Sequence, residues 1–354
     1  KTKGLGPIDS YENLGLIMHS SLALSEQGLP LGLLDQQVWS RPHQPKRLAR
    51  HIYRQIPIEQ KESFKWLKGL RQSHQRTANC EIVTIADRES DFYDFFMESK
   101  ELEAEFLIRA CYDRNVQEEL SLREAVEKQN VLGVMEIEIK QDDEMHKVEL
   151  ELRACEVTLQ PPEKKNKGSF YRPISVWVVW ASEKNPREEE RLEWLLLSSL
   201  PVRSFEDAQE KIRWYRHRWH IESFHKVLKS GCRIEECRLE TVDRLKRYLS
   251  LTSVIAWRLY WLTHLHRHHP ETPASEILAE PEWKSLYCRI HKTTTLPDTI
   301  PTAYQVTRWI AQLGGFLARR GDGEPGITTL WRGWQRLRDI TEDYLLFSRE
   351  NTCG

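Results

Sequence analysis

The sequence has little that would place it in a membrane, in a disulfide-built fold or around a structural metal. Its 354 residues contain no run of eighteen uninterrupted apolar side chains. The most apolar helix-like stretch, Ser253 to Leu265, is interrupted by Arg258, so no membrane span is expected, and no signal peptide is read. Seven cysteines (80, 111, 155, 232, 237, 288, 353) form no Cys-x-x-Cys pair. Cys232 and Cys237 lack zinc-ligand spacing and companions, so structural zinc is not expected. An odd, scattered set reads as free thiols in a reducing cytoplasm. Net charge is lacking too: 52 Lys and Arg against 53 Asp and Glu leave −1. The molecule as a whole is therefore not marked as a nucleic-acid binder, and local charge must decide that question. There is no repeat of fixed period and no low-complexity tract.

What is present is an ordinary globular composition, 40% hydrophobic and 30% charged, with thirteen tryptophans that need places to pack or stack. The length allows a large core and two or more domains. Leu14 to Leu24 and Leu31 to Val38 read as two strands joined by a turn-like Ser-Glu-Gln-Gly. A proline-bearing loop (Arg41 to Pro45) leads to a helix over Pro57 to Arg71. Glu81-Ile-Val-Thr-Ile-Ala-Asp87 is a short apolar run ending in a carboxylate, the way a buried strand delivers a catalytic group. A helix over Phe92 to Ser99 and a strand over Phe106 to Ala110 follow. From about 131 to 182 the period becomes two, with Met135, Ile137 and Ile139, then Val148, Leu150 and Leu152, alternating with polar residues. With Ser175 to Trp180, after a Lys/Gly-rich turn at Lys164 to Gly168, this predicts an antiparallel β unit inserted into an α/β core. Trp194-Leu-Leu-Leu-Ser is one more strand. Past Pro201 the pattern is helical: 205–230, 242–267, 273–286, 303–314 and 328–348. Prolines between His269 and Pro273 mark the start of a C-terminal domain. In its last helix, capped by Thr328 or Thr329, Trp331, Trp334, Leu337, Tyr344 and Phe347 recur at three- and four-residue spacing. That stripe packs on its own domain or forms a dimer contact.

The chemistry concentrates in Trp214-Tyr-Arg-His-Arg-Trp-His-Ile-Glu-Ser-Phe-His-Lys-Val-Leu-Lys229. Read as one continuous α-helix at about 100° per residue, Tyr215, Arg218, Glu222 and Lys229 share a sector of about 60°. Trp219 and Lys226 sit beside it. Ile221, Phe224, Val227 and Leu228 occupy the opposite side and anchor the helix on the core. A carboxylate among cations and a phenol suits phosphodiester chemistry: Glu222 as a ligand of a divalent cation, Arg218 and Lys229 as phosphate grips. The plain reading is a surface helix with solvated ion pairs. Against it, residues 211–249 carry eleven Lys and Arg and only five Asp and Glu, interleaved with aromatics, as a nucleic-acid footprint would be.

The complete spacing Tyr215-x2-Arg218-x3-Glu222-x6-Lys229 resembles the Tyr-Arg-Glu-Lys motif of bacterial insertion-sequence transposases with an Asp-Asp-Glu active site. Asp87-Arg-Glu-Ser-Asp91 at a strand end resembles that family's Asp-Arg-Glu-x-Asp segment. The resemblance runs through His19-Ser20, Trp194-Leu-Leu-Leu-Ser, Leu313-Gly-Gly-Phe and Leu330-Trp-Arg-Gly-Trp334, and is closest to the transposon-five branch. It implies an RNase H-like α/β fold, a mixed sheet flanked by helices with the β unit inserted and an all-helical C-terminal domain. The parts would be 1–115 (core, first part), 116–190 (β-rich insertion), 191–268 (core with the catalytic helix) and 269–354 (dimerisation). Asp87 and Glu222 would be the second and third metal carboxylates of a two-metal site taking Mg²⁺, or Mn²⁺ as the usual substitute. Tyr215, Arg218 and Lys229 would grip phosphates at the transposon end. Trp194 and Trp219 would pack on a flipped-out base, with a core tryptophan the competing reading of Trp194. Lys226 and Arg238, and more weakly Arg109, match positions near the DNA backbone. The partners implied are double-stranded DNA, at the transposon ends and target, and a second copy of the chain through residues about 303–348. The location implied is the bacterial cytoplasm, at the nucleoid.

The family's first aspartate is expected upstream of Lys1, together with an N-terminal helical domain. The chain opens Lys-Thr-Lys and reads as part of a longer protein, with Asp9 the one candidate within it. On this reading the parent protein cuts and pastes DNA, while the chain alone, with two of three carboxylates, cleaves little or not at all. Two alternatives remain: a catalytically inactive partner that poisons intact transposase, and a different RNase H-like nuclease such as a resolvase or repair enzyme.

Overall fold

The structure, a computed structural model, describes residues 3–8, 13–42, 49–77, 79–141, 144–162, 170–186 and 191–350. Asp9, the Lys164 to Gly168 turn and Cys353 lie outside the described residues. A two-residue pair, β1 (Gly6–Pro7) with β2 (Leu14–Gly15), precedes a long antiparallel hairpin of β3 (Ile17–Leu24) and β4 (Pro30–Trp39). Its tip turns at Gly28, whose φ of +87° a side chain would resist. Helices α1 (Arg50–Gln55) and α2 (Phe64–Arg76) follow. Then come β5 (Val83–Ala86), α3 (Tyr93–Glu101), β6 (Glu105–Arg109) and α4 (Leu122–Glu127). Strands β7 (Gly133–Gln141), β8 (Glu144–Leu159), β9 (Ile174–Glu183) and β10 (Glu193–Ser198) complete the sheet. The rest is helical: α5 (Phe205–Arg216), α6 (Trp219–Lys226), α7 (Val242–His268), α8 (Glu280–His291), α9 (Ala303–Leu313) and α10 (Ile327–Glu350).

The six-stranded sheet has the order β5-β6-β10-β9-β8-β7, with β5 and β6 parallel and every other pair antiparallel. This is the expected mixed α/β sheet. The period-two strands β7 to β9 extend that same sheet outward from β10. The β3–β4 hairpin forms a separate two-stranded sheet.

Both faces of the central strands are covered, which is why they read as unbroken apolar runs. Phe106 and Ile108 of β6, with Leu195 and Leu197 of β10, face Phe95, Phe96, Leu122 and Val126 of α3 and α4. The alternate residues, Leu107 and Leu196, face Ala208, Ile212 and Tyr215 of α5. Ser204 starts α5 with a capping box to Asp207, the two side-chain–backbone bonds being 3.1 Å each.

A second core belongs to the C-terminal helices, and the hairpin packs on it: Met18, Leu22 and Leu33 lie against a cluster built by α6, α7, α9 and α10. The two Gly-containing segments noted in the sequence cross here. A β-carbon on Gly333 would sit 1.7 Å from the Ile310 carbonyl oxygen, and one on Gly314 1.9 Å from that of Thr329. Helices α9 and α10 therefore touch backbone to backbone. Thr328 and Thr329 lie inside the first turn of α10, two and three residues past the cap position at Gly326. The expected 273–286 helix instead begins as a 3₁₀ turn at Ala274–Glu276, and α8 starts only at Glu280, beside Pro281. Along α10 Leu337 is buried and Trp331 and Trp334 are partly so, but Leu346 and Phe347 are exposed. No helix among the described residues is long and apolar enough to cross a membrane.

Candidate active site

Strand β5 ends at Ala86, opposite Ile108 of β6, so Asp87 and Arg109 leave neighbouring parallel strands side by side at their carboxyl ends. Strand β10 runs the other way, and its first residues, including Trp194, lie at that same end of the sheet. This is where open α/β sheets present ligand-binding groups. Asp87 caps a 3₁₀ turn, its carboxylate accepting the Glu89 amide at 2.9 Å, and stays half-buried. Arg109 donates to the Glu193 carbonyl at 2.9 Å.

The other aspartate of the segment does a different job. Asp91 is buried, and its carboxylate accepts the Cys111 and Tyr112 amides at 2.6 and 3.0 Å and pairs with Arg114 at 2.5 Å. It ties the turn after β5 to the turn after β6 and so fixes Asp87. Glu89 between them pairs with Lys65 of α2 at 2.7 Å. That hydrogen bond holds the Glu89 carboxyl below its usual range against the opposing cost of burial. The sequence reading missed both partners, because Lys65 and Arg114 lie on elements that only folding brings near.

The motif helix is not continuous, which corrects the wheel drawn from sequence. α5 ends at Arg216 and α6 begins at Trp219. Across the junction the amides of His217, Arg218, His220 and Ile221 bond to carbonyls three residues back, at 3.0 to 3.2 Å. In such a 3₁₀ stretch each residue advances about 120° rather than 100°. Beyond α6, residues Val227–Gly231 form a wider π turn that carries Lys229. The tightening coincides with the hairpin tip: the His217 ring bonds the Glu26 carbonyl at 3.1 Å, and a β-carbon on Gly28 would meet that ring at 2.7 Å.

The expected common sector is therefore redistributed. Tyr215 is buried at 5% exposure, edge-on to Trp194 with ring centres 5.5 Å apart, and belongs to the core under the sheet. Arg218 caps α6, stacks over Trp219 at 5.0 Å, and donates to Glu222 at 2.8 Å. Burial weakens its charge, but the Glu222 bond and the fields of Tyr215, Glu222 and Asp87 outweigh that and raise its pKa. Arg218 thus feels the charges of both Glu222 and Asp87. Lys229 pairs with Glu235 at 3.1 Å, both ends exposed. Lys226 and Arg238 are exposed and point no charge into a described ion pair, while Trp219 is 59% exposed. As expected, Phe224, Val227 and Leu228 are buried and Ile221 packs beside them.

His225, one turn beyond Glu222, was not anticipated. Its Nε2 is buried without a hydrogen-bond partner, and burial first, then Lys229, lowers its pKa. The three-residue spacing from Glu222 was the available signal.

Asp87 and Glu222 offer oxygen donors with free lone pairs, which fits a hard divalent cation. Among the described residues no third His, Cys, Asp or Glu joins them in a metal-holding group. Two comparisons bear on this geometry. Residues 61–259, more than half of the chain, match the family described as transposase DDE domain. Residues 254–349 match the family described as transposase Tn5 dimerisation domain. The first span contains Asp87 and the whole motif from Tyr215 to Lys229, and the second contains α8 to α10.

Proposed function

The chain belongs to the DDE transposases, with a Tn5-type dimerisation domain, and on that premise we propose that it cuts transposon ends and joins them to target DNA, using Asp87 and Glu222 as metal carboxylates. The observation that carries the reading is that Arg218, paired with Glu222 at 2.8 Å, also feels the charge of Asp87 at the end of β5. The family acts with divalent metal, and we assign Mg²⁺ here, with Mn²⁺ as substitute. When bound, the metal supplies positive charge at the scissile phosphate and eases deprotonation of the attacking hydroxyl. Everything else falls to the chain's own groups.

Asp87 is positioned rigidly and Glu222 adjustably. Taking Glu222 from Arg218 frees a guanidinium whose fork suits a non-bridging phosphate oxygen. Attack by water, in line with the leaving 3′-oxygen, nicks the end. Attack by the released 3′-hydroxyl on the opposite strand closes a hairpin, a second water reopens it, and the same hydroxyl then joins target DNA. Each step forms one P–O bond and breaks one. Lys226, Lys229 and Arg238 steady the backbone. Trp219 offers its exposed face to an unstacked base, and Trp194, edge-on to the buried Tyr215, is the second candidate.

The test is Mg²⁺-dependent cleavage of the element's own end DNA by the protein and by Asp87→Ala and Glu222→Ala, with end binding measured alongside. Loss of cutting in both by about a thousandfold or more matches the several kcal/mol that a metal supplies. Variants that cut like wild type would sink the assignment. A second reading is favoured by one pairing of facts: a dimerisation domain beside only two suitable carboxylates among the described residues. On it, the chain binds ends, cuts weakly, and poisons active transposase by pairing with it. Added to an active relative, it would then lower cleavage in proportion to mixed dimers.

A further inference from the structure

Beside Glu222 on α6, residues of α5, α6 and α7 line an open cavity of about 240 Å³ whose lining contains no carboxylate. Arg216, Trp219, His220, Tyr260, His264 and Arg267 dominate it. The two arginines are exposed; among the described residues neither pairs with a carboxylate, and Arg216 donates to the Glu138 backbone carbonyl at 3.2 Å. His220 shares a 2.6 Å bond with the Tyr260 hydroxyl, and the His220 and His264 rings are 5.6 Å apart. Histidines so grouped suggest a metal, but among the described residues no three His, Cys, Asp or Glu side chains converge as a metal requires. Cations without a carboxylate partner, N–H donors and hydroxyls around one cavity instead fit an oxyanion. Burial, then neighbouring imidazoles, lowers the His264 pKa to about 4. The ring is therefore neutral at physiological pH, with one N–H to give.

The volume is that of about eight liquid waters at roughly 30 Å³ each, more than a free phosphate fills. Trp219 at the rim adds a flat face for a sugar or base.

We propose that this pocket holds a phosphodiester of DNA, with Arg216 and Arg267 supplying charge and His264 a hydrogen bond. It is a backbone contact separate from Lys226, Lys229 and Arg238. The assignment rests on reading the chain as a DNA-processing enzyme.

The experiment measures fluorescence anisotropy of a labelled random-sequence duplex with the full chain, in EDTA, across a salt series. Without divalent ions the readout is independent of cleavage, so the metal-site assignment stands or falls separately. The proteins are wild type, Arg267→Gln, His264→Gln, and Arg71→Gln as a charge-matched control on α2, where Arg71 already pairs with Glu98. The expected result is weaker binding by Arg267→Gln, with the slope of log K against log salt smaller by about 0.9, one phosphate contact. His264→Gln binds more weakly at unchanged slope, and Arg71→Gln matches wild type. Equal slopes for Arg267→Gln and wild type, or an equal loss in Arg71→Gln, would overturn the proposal. Inorganic phosphate is the second probe. Broadening of its phosphorus resonance that Arg267→Gln abolishes, with the DNA slope unchanged, would mean a free-phosphate site and equally overturn it.

Discussion

The two carboxylates of the candidate site are carried by opposite kinds of scaffold. Asp87 leaves a buried parallel strand, accepts a backbone amide, and is flanked by Asp91, whose buried pair with Arg114 locks the turn. Glu222 sits on an eight-residue helix between a 3₁₀ junction and a π turn, 44% exposed, held by a single arginine. Strand ends place groups through many backbone hydrogen bonds. A short helix between two irregular turns places them through a few side chains. One carboxylate is therefore a fixed reference, and the other is free to exchange its partner.

Stability should divide the two aspartates of the strand-end segment most sharply. Asp91→Ala leaves Arg114, 15% exposed, without its counterion and the Cys111 and Tyr112 amides without their acceptor, and should cost about 3–5 kcal/mol in urea unfolding. Asp87→Ala should cost less, about 1 kcal/mol, the loss of one side-chain cap. Equal losses would mean that Asp87 is also structural.

On the helix side, Arg218→Ala should reduce the salt dependence of end-DNA binding by about 0.9. Mn²⁺ binding, followed by paramagnetic resonance, should be as tight or tighter, because a cation beside Glu222 has gone. Weaker Mn²⁺ binding would mean that Arg218 orients Glu222 rather than competing for it.

The hairpin that braces the helix side should respond to acid. Burial first, then Lys65, lowers the His19 pKa to about 4, against about 6.5 when unfolded. A depressed histidine contributes stability above pH 6.5 and loses it as pH falls toward 4. His19→Gln should thus flatten the fall of melting temperature between pH 7 and 4. An unchanged pH profile would remove His19 from that linkage.

The smallest effect belongs to Lys229→Ala. Its exposed pair with Glu235 should change stability by less than about 0.5 kcal/mol, while end binding loses one phosphate's worth of salt slope. A larger stability loss would show the π turn to be held by that pair.

Much of this was legible before folding. The strand ending at Asp87, the period-two strands β7 to β9, the apolar β10 and the helical end all follow from spacing, because burial on one or both faces dictates where apolar residues fall. The same rule placed Phe224, Val227 and Leu228 inward. The junction at His217 was not legible. Nothing in Trp214 to Lys229 breaks a helix, and the tightening occurs where a hairpin tip some 190 positions earlier in the chain meets a histidine ring. The β3–β4 hairpin itself was visible, but not that its apolar face joins the C-terminal helices.

The sequence by itself named the residues proposed to carry the chemistry, since four functional groups at fixed spacing and a carboxylate after an apolar run need no partner to be read. It also marked Gly314 and Gly333 without a reason for them. Only the tertiary structure decided which groups meet: that Asp91 is an anchor, that Tyr215 is buried behind Trp194, that Arg218 occupies Glu222, and that α9 and α10 cross at bare backbone. Those facts depend on contacts between elements far apart in the chain, and local spacing carries no information about the far partner.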